Sequence, residues 1–360
     1  MKKIYVFIAS AMMLASCGAP CTRVYAELEE RQNWEGAQLY GDIASISATS
    51  YELAGSYGRT VKVELMSQKL VEFNQRGDVL LSTEYDIDST LIERHEYRYD
   101  ERGYLAEYSY QDDGYKFSRR FLRDNFGSVV ERDLLKADGT LEERHTITYD
   151  NAGNVVADAD FDENNVLQGR NESMYGKANK LVETKRYARS GELVRRDVYT
   201  YDAQGRTAEV VSYDVFDNLE GRQVFTYGEN GRDNEKITYD ARGVIDYRVV
   251  ERYDERGNLL ELSSYDDKGL TESFAYVYDD ANRILEEKRS TSDGLILSQQ
   301  NFKYNDNGLL IEYIDDDKFH GQYSVTTYRY DDKNNLVEEM SYSGVRRVPE
   351  YVVEYVINYR

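Results

Sequence analysis

Proline, cysteine, histidine and tryptophan are nearly absent from this chain: two, two, three and one among 360 residues. Each shortage closes off a class of protein. Two cysteines four positions apart cannot staple a fold, so stability does not rest on a disulfide framework. Three histidines leave little room for imidazole-based catalysis, and no G-x-S-x-G, H-E-x-x-H or glycine-rich phosphate loop occurs. Basic residues are also in deficit, 45 against 67 acidic, giving a net charge of −22. Such a surface repels phosphate backbones and anionic headgroups, which argues against nucleic-acid binding. No apolar run beyond the first 20 residues is long enough to cross a bilayer as a helix.

The first residues, MKKIYVFIASAMMLASCGAP, combine Lys2 and Lys3, an apolar stretch from Ile4 to Leu14, and small residues ahead of Cys17. That order reads as a removed signal segment, residues 1–16. Leu14-Ala15-Ser16-Cys17 resembles the lipobox of bacterial lipoproteins. The resemblance implies cleavage before Cys17 and acylation of that cysteine, hence a durable membrane anchor. Loss of Lys2 and Lys3 takes the net charge of the mature chain to −24. Cys21 is then a lone thiol in a tether spanning residues 17–37. No acidic residue follows Cys17 until Glu27, which favours the periplasmic side of an outer membrane over the cell surface.

What the chain has in excess is tyrosine, 34 against 11 phenylalanines, a residue suited to pleated, half-wet surfaces. The tyrosines keep time. YDERGYLAE at 99–107 returns as YDERGNLLE at 253–261, and the same register recurs at Phe73, Tyr99, Arg123, Tyr149, Tyr175, Tyr201, Tyr227, Tyr253, Tyr278, Tyr304 and Tyr330, at intervals of 24 to 26 residues. A fixed period of this length marks a tandem repeat. Four residues after each register position stands a glycine or an asparagine: Gly77, Gly103, Gly127, Gly153, Asn179, Gly205, Gly231, Gly257, Asn282, Gly308 and Asn334. These two residue types best tolerate positive φ, and an Asp or Asn usually opens the same turn. Y-D-x-x-G therefore predicts a strand end, a type I turn and a reversal. Two residues beyond the turn an apolar residue recurs, and two further on a glutamate; even spacing places both on one strand face. Half-period echoes at 187–193, 239–245 and 265–270 imply two strands and two turns per unit.

Y-D-x-x-G-x-L in this rhythm resembles the YD repeat of Rhs-type proteins and teneurins, over residues 73–342. In that family the hairpins join into one antiparallel strip that spirals, in the largest members into a hollow shell. The chain departs from the family in having no toxin-like C-terminal domain and, with Pro349 alone near the end, no proline-rich processing junction. It looks more like the small YD-repeat lipoproteins of bacterial envelopes. The expected fold is all-β: tandem hairpins of about 26 residues forming one long, twisted and curled antiparallel sheet, on the order of 100 Å along the strip. Residues 38–72 are expected as N-terminal capping strands and 343–360 as a C-terminal capping strand that blunts the far edge.

No catalytic constellation emerges. His95 and His145 share one repeat position, and His320 lies in an acidic turn. Nine glutamates at one register read as a cross-strand ladder with Arg and Lys, not as paired catalytic acids. Asp158, Asp160 and Asp162 have the spacing that opens an EF-hand loop, but the glycine at loop position six and the glutamate at twelve are missing, so no metal is expected. No cofactor is expected either, and no ligand surface is identifiable. The expected function is a lipid-anchored, non-enzymatic binding or structural scaffold of the cell envelope, with a basic envelope protein as partner. The alternative is a glycan-binding lipoprotein that stacks sugars on tyrosine. An enzyme without a recognisable motif stands third.

Overall fold

A computed structural model describes residues 39–56, 59–228 and 233–360. The signal segment, Cys17, the tether and the turn glycine Gly231 lie outside the described residues. The chain is an up-and-down array of 24 antiparallel strands, numbered β1 to β24 in chain order, beginning with β1 (Ile43–Ser56) and β2 (Arg59–Phe73) and ending with β23 (Leu336–Ser343) and β24 (Val348–Tyr359). Each strand pairs with its predecessor and its successor through hairpins.

The expected open strip does not end in edges. β1 pairs antiparallel with β24, Ser50 opposite Val353 and Ala48 opposite Tyr355, so the sheet closes into a barrel. The two capping segments meet each other and form a seam. An edge of this length would leave a row of N–H and C=O groups unpaired, and strand twist accumulated over 24 strands brings the two edges together where each satisfies the other. Side chains reinforce the join. The Arg360 guanidinium donates to Asp42 (2.6 Å) and to the carbonyls of Phe73 (2.6 Å) and Asn74 (2.9 Å), and Asn335 exchanges hydrogen bonds with the backbone of Tyr40.

Followed once round the wall, the pairing register returns to β1 displaced by about 24 residues, so shear and strand number are about equal. That equality sets a strand tilt of about 36°. With strands ~4.8 Å apart, a circular wall has a backbone radius on the order of 20 Å. Side chains can fill an eight-stranded barrel, whereas sixteen or more strands leave a lumen. The largest buried apolar cluster is accordingly one patch of Ile43, Phe73, Val79, Tyr97, Leu105, Phe121 and Val129, with Leu53, Val325, Val352 and Val353 buried apart from it.

The repeat explains the regularity. At the first rim, the Y-D-x-x-G turns hold positive φ at Gly103 (89°), Asn282 (62°) and Asn334 (69°), and the opening Asp anchors the loop. Asp150 Oδ1 accepts from the amides of Ala152 and Asn154, each at 2.9 Å, and Asn74 and Asn305 do the same in their turns. A register shift follows each of these turns. Arg98 faces Glu107 but Tyr99 faces Leu105. The shift overturns the even-spacing expectation: Leu105 joins the buried cluster with Tyr97 and Phe121, while Glu107 pairs with Arg98.

Register tyrosines latch unit to unit. Eight of them donate their hydroxyl to the carbonyl of the residue opening an adjacent strand, from Tyr201 to Leu181 at 2.7 Å to Tyr175 to Val155 at 3.2 Å. Tyr253 is the exception and donates to Glu251. The second rim is richer in exposed apolar side chains than the first: Ile87, Phe216, Leu295, Phe319 and Val345 are exposed in or beside its turns, against Phe126 in a first-rim turn.

Removing one latch by Tyr201→Phe keeps the ring and deletes one hydrogen bond, and should cost about 0.5–1.5 kcal/mol in urea denaturation; an unchanged midpoint would contradict the latch. The turn aspartates predict an acid limit. Hydrogen bonds from the Asn154 and Asn258 side chains, and then from backbone amides, hold Asp150 and Asp254 below the ordinary carboxylate range. A depressed folded pKa stabilises fully above the ordinary value of about 4 and is lost as pH falls through the lower one. Asp150→Asn with Asp254→Asn keeps the turn acceptors and should flatten the loss of stability below about pH 4. Equal acid sensitivity in the double variant would refute this reading.

Candidate functional site

The two faces of the wall differ in what chiefly shifts their ionisable groups. On one face burial is the leading cause that raises Tyr97, Tyr108, Tyr276, Tyr313, Tyr328, Tyr351 and Tyr355, with Tyr276 pushed up to about 12. Burial also raises the carboxyls of Glu287, Asp315 and Glu339 on that face. Across strand pairs these residues sit opposite one another: Tyr276 with Glu287, Tyr328 with Glu339. On the other face the shifts come first from ion pairing. Arg347 lowers Glu312, and Asp217 raises Arg196. Concave curvature crowds side chains together and convex curvature spreads them apart, so the burial-raised face is assigned to the lumen and the ion-paired face to the outside.

The outer face carries the glutamate ladder. Glu107, Glu131, Glu209, Glu261 and Glu338 pair with Arg98, Arg144, Arg222, Arg252 and Arg329, and Glu235 pairs with Arg248. Several of these rows also stack a guanidinium on a directly opposed tyrosine. Arg196 lies over Tyr213 at 4.3 Å, Arg222 over Tyr239 at 4.5 Å and Arg248 over Tyr265 at 4.8 Å. The recurring glutamates are thus structural partners on a wet surface.

The lumen wall is less uniform. Near the seam it is aromatic. Tyr97, Tyr108, Tyr110 and Phe117 form a run of ring contacts with His95, whose Nδ1 lies 2.8 Å from the Tyr108 hydroxyl. Hydrogen bonding to His95, followed by Lys69, holds Glu93 down to about 2. His145 occupies the equivalent position and pairs with Asp160 at 2.7 Å. His320 pairs with Asp317 in its turn. Asp158, Asp160 and Asp162 lie on strand β9 (Val155–Asp162), not in a loop, and each serves a different neighbour: Asn171, His145, and the amides of Asn164 and Val166. Among the described residues no group of three His, Cys, Asp or Glu could hold a metal ion.

Further round, a cavity of about 370 Å³ opens in the wall. β9, β10 (Leu167–Tyr175), β11 (Leu181–Ala188) and β12 (Leu193–Tyr201) supply Asp158, Asn171, Ser173, Thr184, Arg195 and Asp197, with Arg186. One side is braced: Arg195 Nε donates to Asp197 at 2.9 Å, its Nη2 to Ser212 at 2.7 Å, and Ser212 to Asp197 at 2.6 Å. Sequence reasoning missed this group. The signal was an irregularity: two residues before the register position most units place a ring or a branched chain (Tyr97, Ile147, Tyr199, Phe225, Tyr276, Phe302, Tyr328), but the unit of Tyr175 places Ser173 and that of Tyr253 places Glu251.

No family model matches the chain, and no curated protein matches it. Solved structures similar to it include a chain of the Photorhabdus luminescens Tc holotoxin pore (12% identity, TM-score 0.28), over 79% of this chain and 19% of that one. This chain thus spans about a fifth of the length of that relative. Others are a porin-like protein from Bacteroides uniformis (9% identity, TM-score 0.27, 88% and 96% covered) and a Bacteroides fragilis protein of unknown function (20% identity, TM-score 0.18, 41% and 90% covered).

Proposed function

We propose that this chain is a non-enzymatic binding scaffold of the bacterial cell envelope, of the YD-repeat lipoprotein kind, anchored through Cys17 and presenting the inner wall of its barrel to a ligand. The observation that carries this reading is closure: 24 strands enclose more space than their side chains can fill. A closed wall of 24 strands holds a lumen lined with rings, carboxylates and guanidinium groups in place of a packed core. Repeat architectures commonly serve as extended binding surfaces of this sort.

A closed antiparallel barrel is compatible with an envelope or outer-membrane location. The wall itself does not suit a bilayer interior. Its outer face carries Arg196, Arg222, Arg248 and their glutamates in mid-strand, and its concave face Asp158, Arg186, Asp197 and Glu287. A lipid-facing Arg or Lys costs about 2–4 kcal/mol at the membrane midplane, so the outer face would oppose insertion. Among the described residues no helix is long and apolar enough to cross a membrane. A lipid on Cys17 supplies the attachment that the wall does not.

The apolar side chains at the second rim favour a second reading, in which an envelope protein docks on Phe216, Leu295 and Phe319. One experiment separates the two. A photo-cross-linking residue is placed at Tyr199 (lumen), Phe319 (rim) or Glu209 (outer wall) in cells. Adducts from Tyr199 alone support lumenal binding, adducts from Phe319 alone support rim docking, and adducts only from Glu209 contradict both. In the same cells Cys17→Ala should abolish palmitate labelling and release the chain from membranes; continued labelling would exclude this anchor.

A further inference from the structure

Resting on the lumenal reading, we infer that the cavity around Ser173 is a subsite for an acidic saccharide unit of a glycan chain. The cavity lies at a repeat position that departs from the pattern. Ser173 on β10 stands where neighbouring units carry Tyr199 and Phe225, and a cavity of about 370 Å³ opens beside it, at the small end of the range for small-ligand pockets. The lining is polar, which disfavours an apolar ligand, and its hydrogen-bonding capacity is unevenly used. Asp158 accepts Asn171 Nδ2 through one carboxylate oxygen (2.8 Å), leaving its other oxygen and the Asn171 carbonyl directed to no protein donor among the described residues. Ser173 and Thr184 make no side-chain hydrogen bond within the described residues, whereas Arg195, Asp197 and Ser212 form a closed set that fixes one side of the cavity.

Arg186 supplies the charge. It is exposed on the lumen wall between Asn171 and Arg195, its pairing partners across β10 and β12, and makes no ion pair or hydrogen bond among the described residues. Outer-wall arginines such as Arg196, Arg222 and Arg248 are by contrast held by glutamates. A free planar guanidinium presents paired donors that match a carboxylate. Toward the first rim, Tyr175, Tyr199 and Tyr201 lie on the same face, where burial first and then nearby groups that include the Tyr199 hydroxyl raise Tyr175 and Tyr201. Hydroxyl-matching acceptors and donors, one unneutralised cation in a strongly acidic protein, and adjacent tyrosine rings together describe a sugar ring bearing a carboxylate.

The test uses the mature chain with two probes, an oligoglucuronate and the neutral oligoglucose of equal length, titrated calorimetrically. Wild type should bind the oligoglucuronate at least 10-fold more tightly than the neutral chain. Ser173→Tyr restores the ring found in neighbouring units and fills the cavity; it should keep the melting temperature and lose binding by more than 10-fold. Arg186→Gln should abolish the preference for the acidic chain while retaining residual affinity for both. Binding that survives Ser173→Tyr, or a preference that survives Arg186→Gln, overturns the subsite. Absence of any sugar binding overturns it as well; if Tyr199 adducts still form in cells, the lumenal reading stands without it, and if they do not, both fall.

Discussion

Backbone pairing between the first and last strands is the constraint on which the rest of the structure depends. A sheet of 24 strands with free ends would expose two rows of unpaired amides and carbonyls. With β1 and β24 joined, there is no edge, and the wall acquires an inside and an outside. The strip length of roughly 100 Å expected for an open ribbon becomes a circumference. The seam is built from segments that lack the Y-D-x-x-G rhythm, and it is held by residues far apart in the chain, Arg360 on Asp42 and Asn335 on Tyr40.

Closure gives the two faces different work. Outside, glutamate, arginine and tyrosine form repeating triplets such as Glu209, Arg222 and Tyr239, which neutralise charge row by row in a chain of high net charge. Inside, the wall crowds its side chains, and burial raises the carboxyls of Glu287, Asp315 and Glu339. Stability comes from many similar small terms: turn anchors, tyrosine latches and cross-strand pairs. Repetition supplies them in every unit, so the fold needs no central core. An interior that packing does not fill is free to hold something else.

The turns were legible in the sequence because positive φ is a local demand that glycine and asparagine meet, and Gly103, Asn282 and Asn334 stand where that demand falls. Hairpins and antiparallel order followed from them. Closure was not legible, because it depends on a small register offset per hairpin summed over the whole circuit and on strands β1 and β24 outside the repeat. The register shift after each turn was hidden as well, which is why Leu105 and Glu107 looked like neighbours on one face. The cavity escaped for another reason. Repeat reading looks for what recurs, and Ser173 matters because it does not. The carboxylates of Asp158 and Asp160, with loop spacing in the sequence, proved to lie on a strand.

Amide hydrogen exchange at the seam tests the account most directly. In a closed barrel the amides of Ile46 to Glu52 and of Tyr351 to Ile357 are hydrogen-bonded on both sides of their strands, and both sets should exchange as slowly as those of interior strands such as β12. If alternate amides along β1 and β24 exchanged rapidly while their partners on β2 and β23 stayed protected, the sheet would have free edges, and the lumen with its separate inner face would not exist.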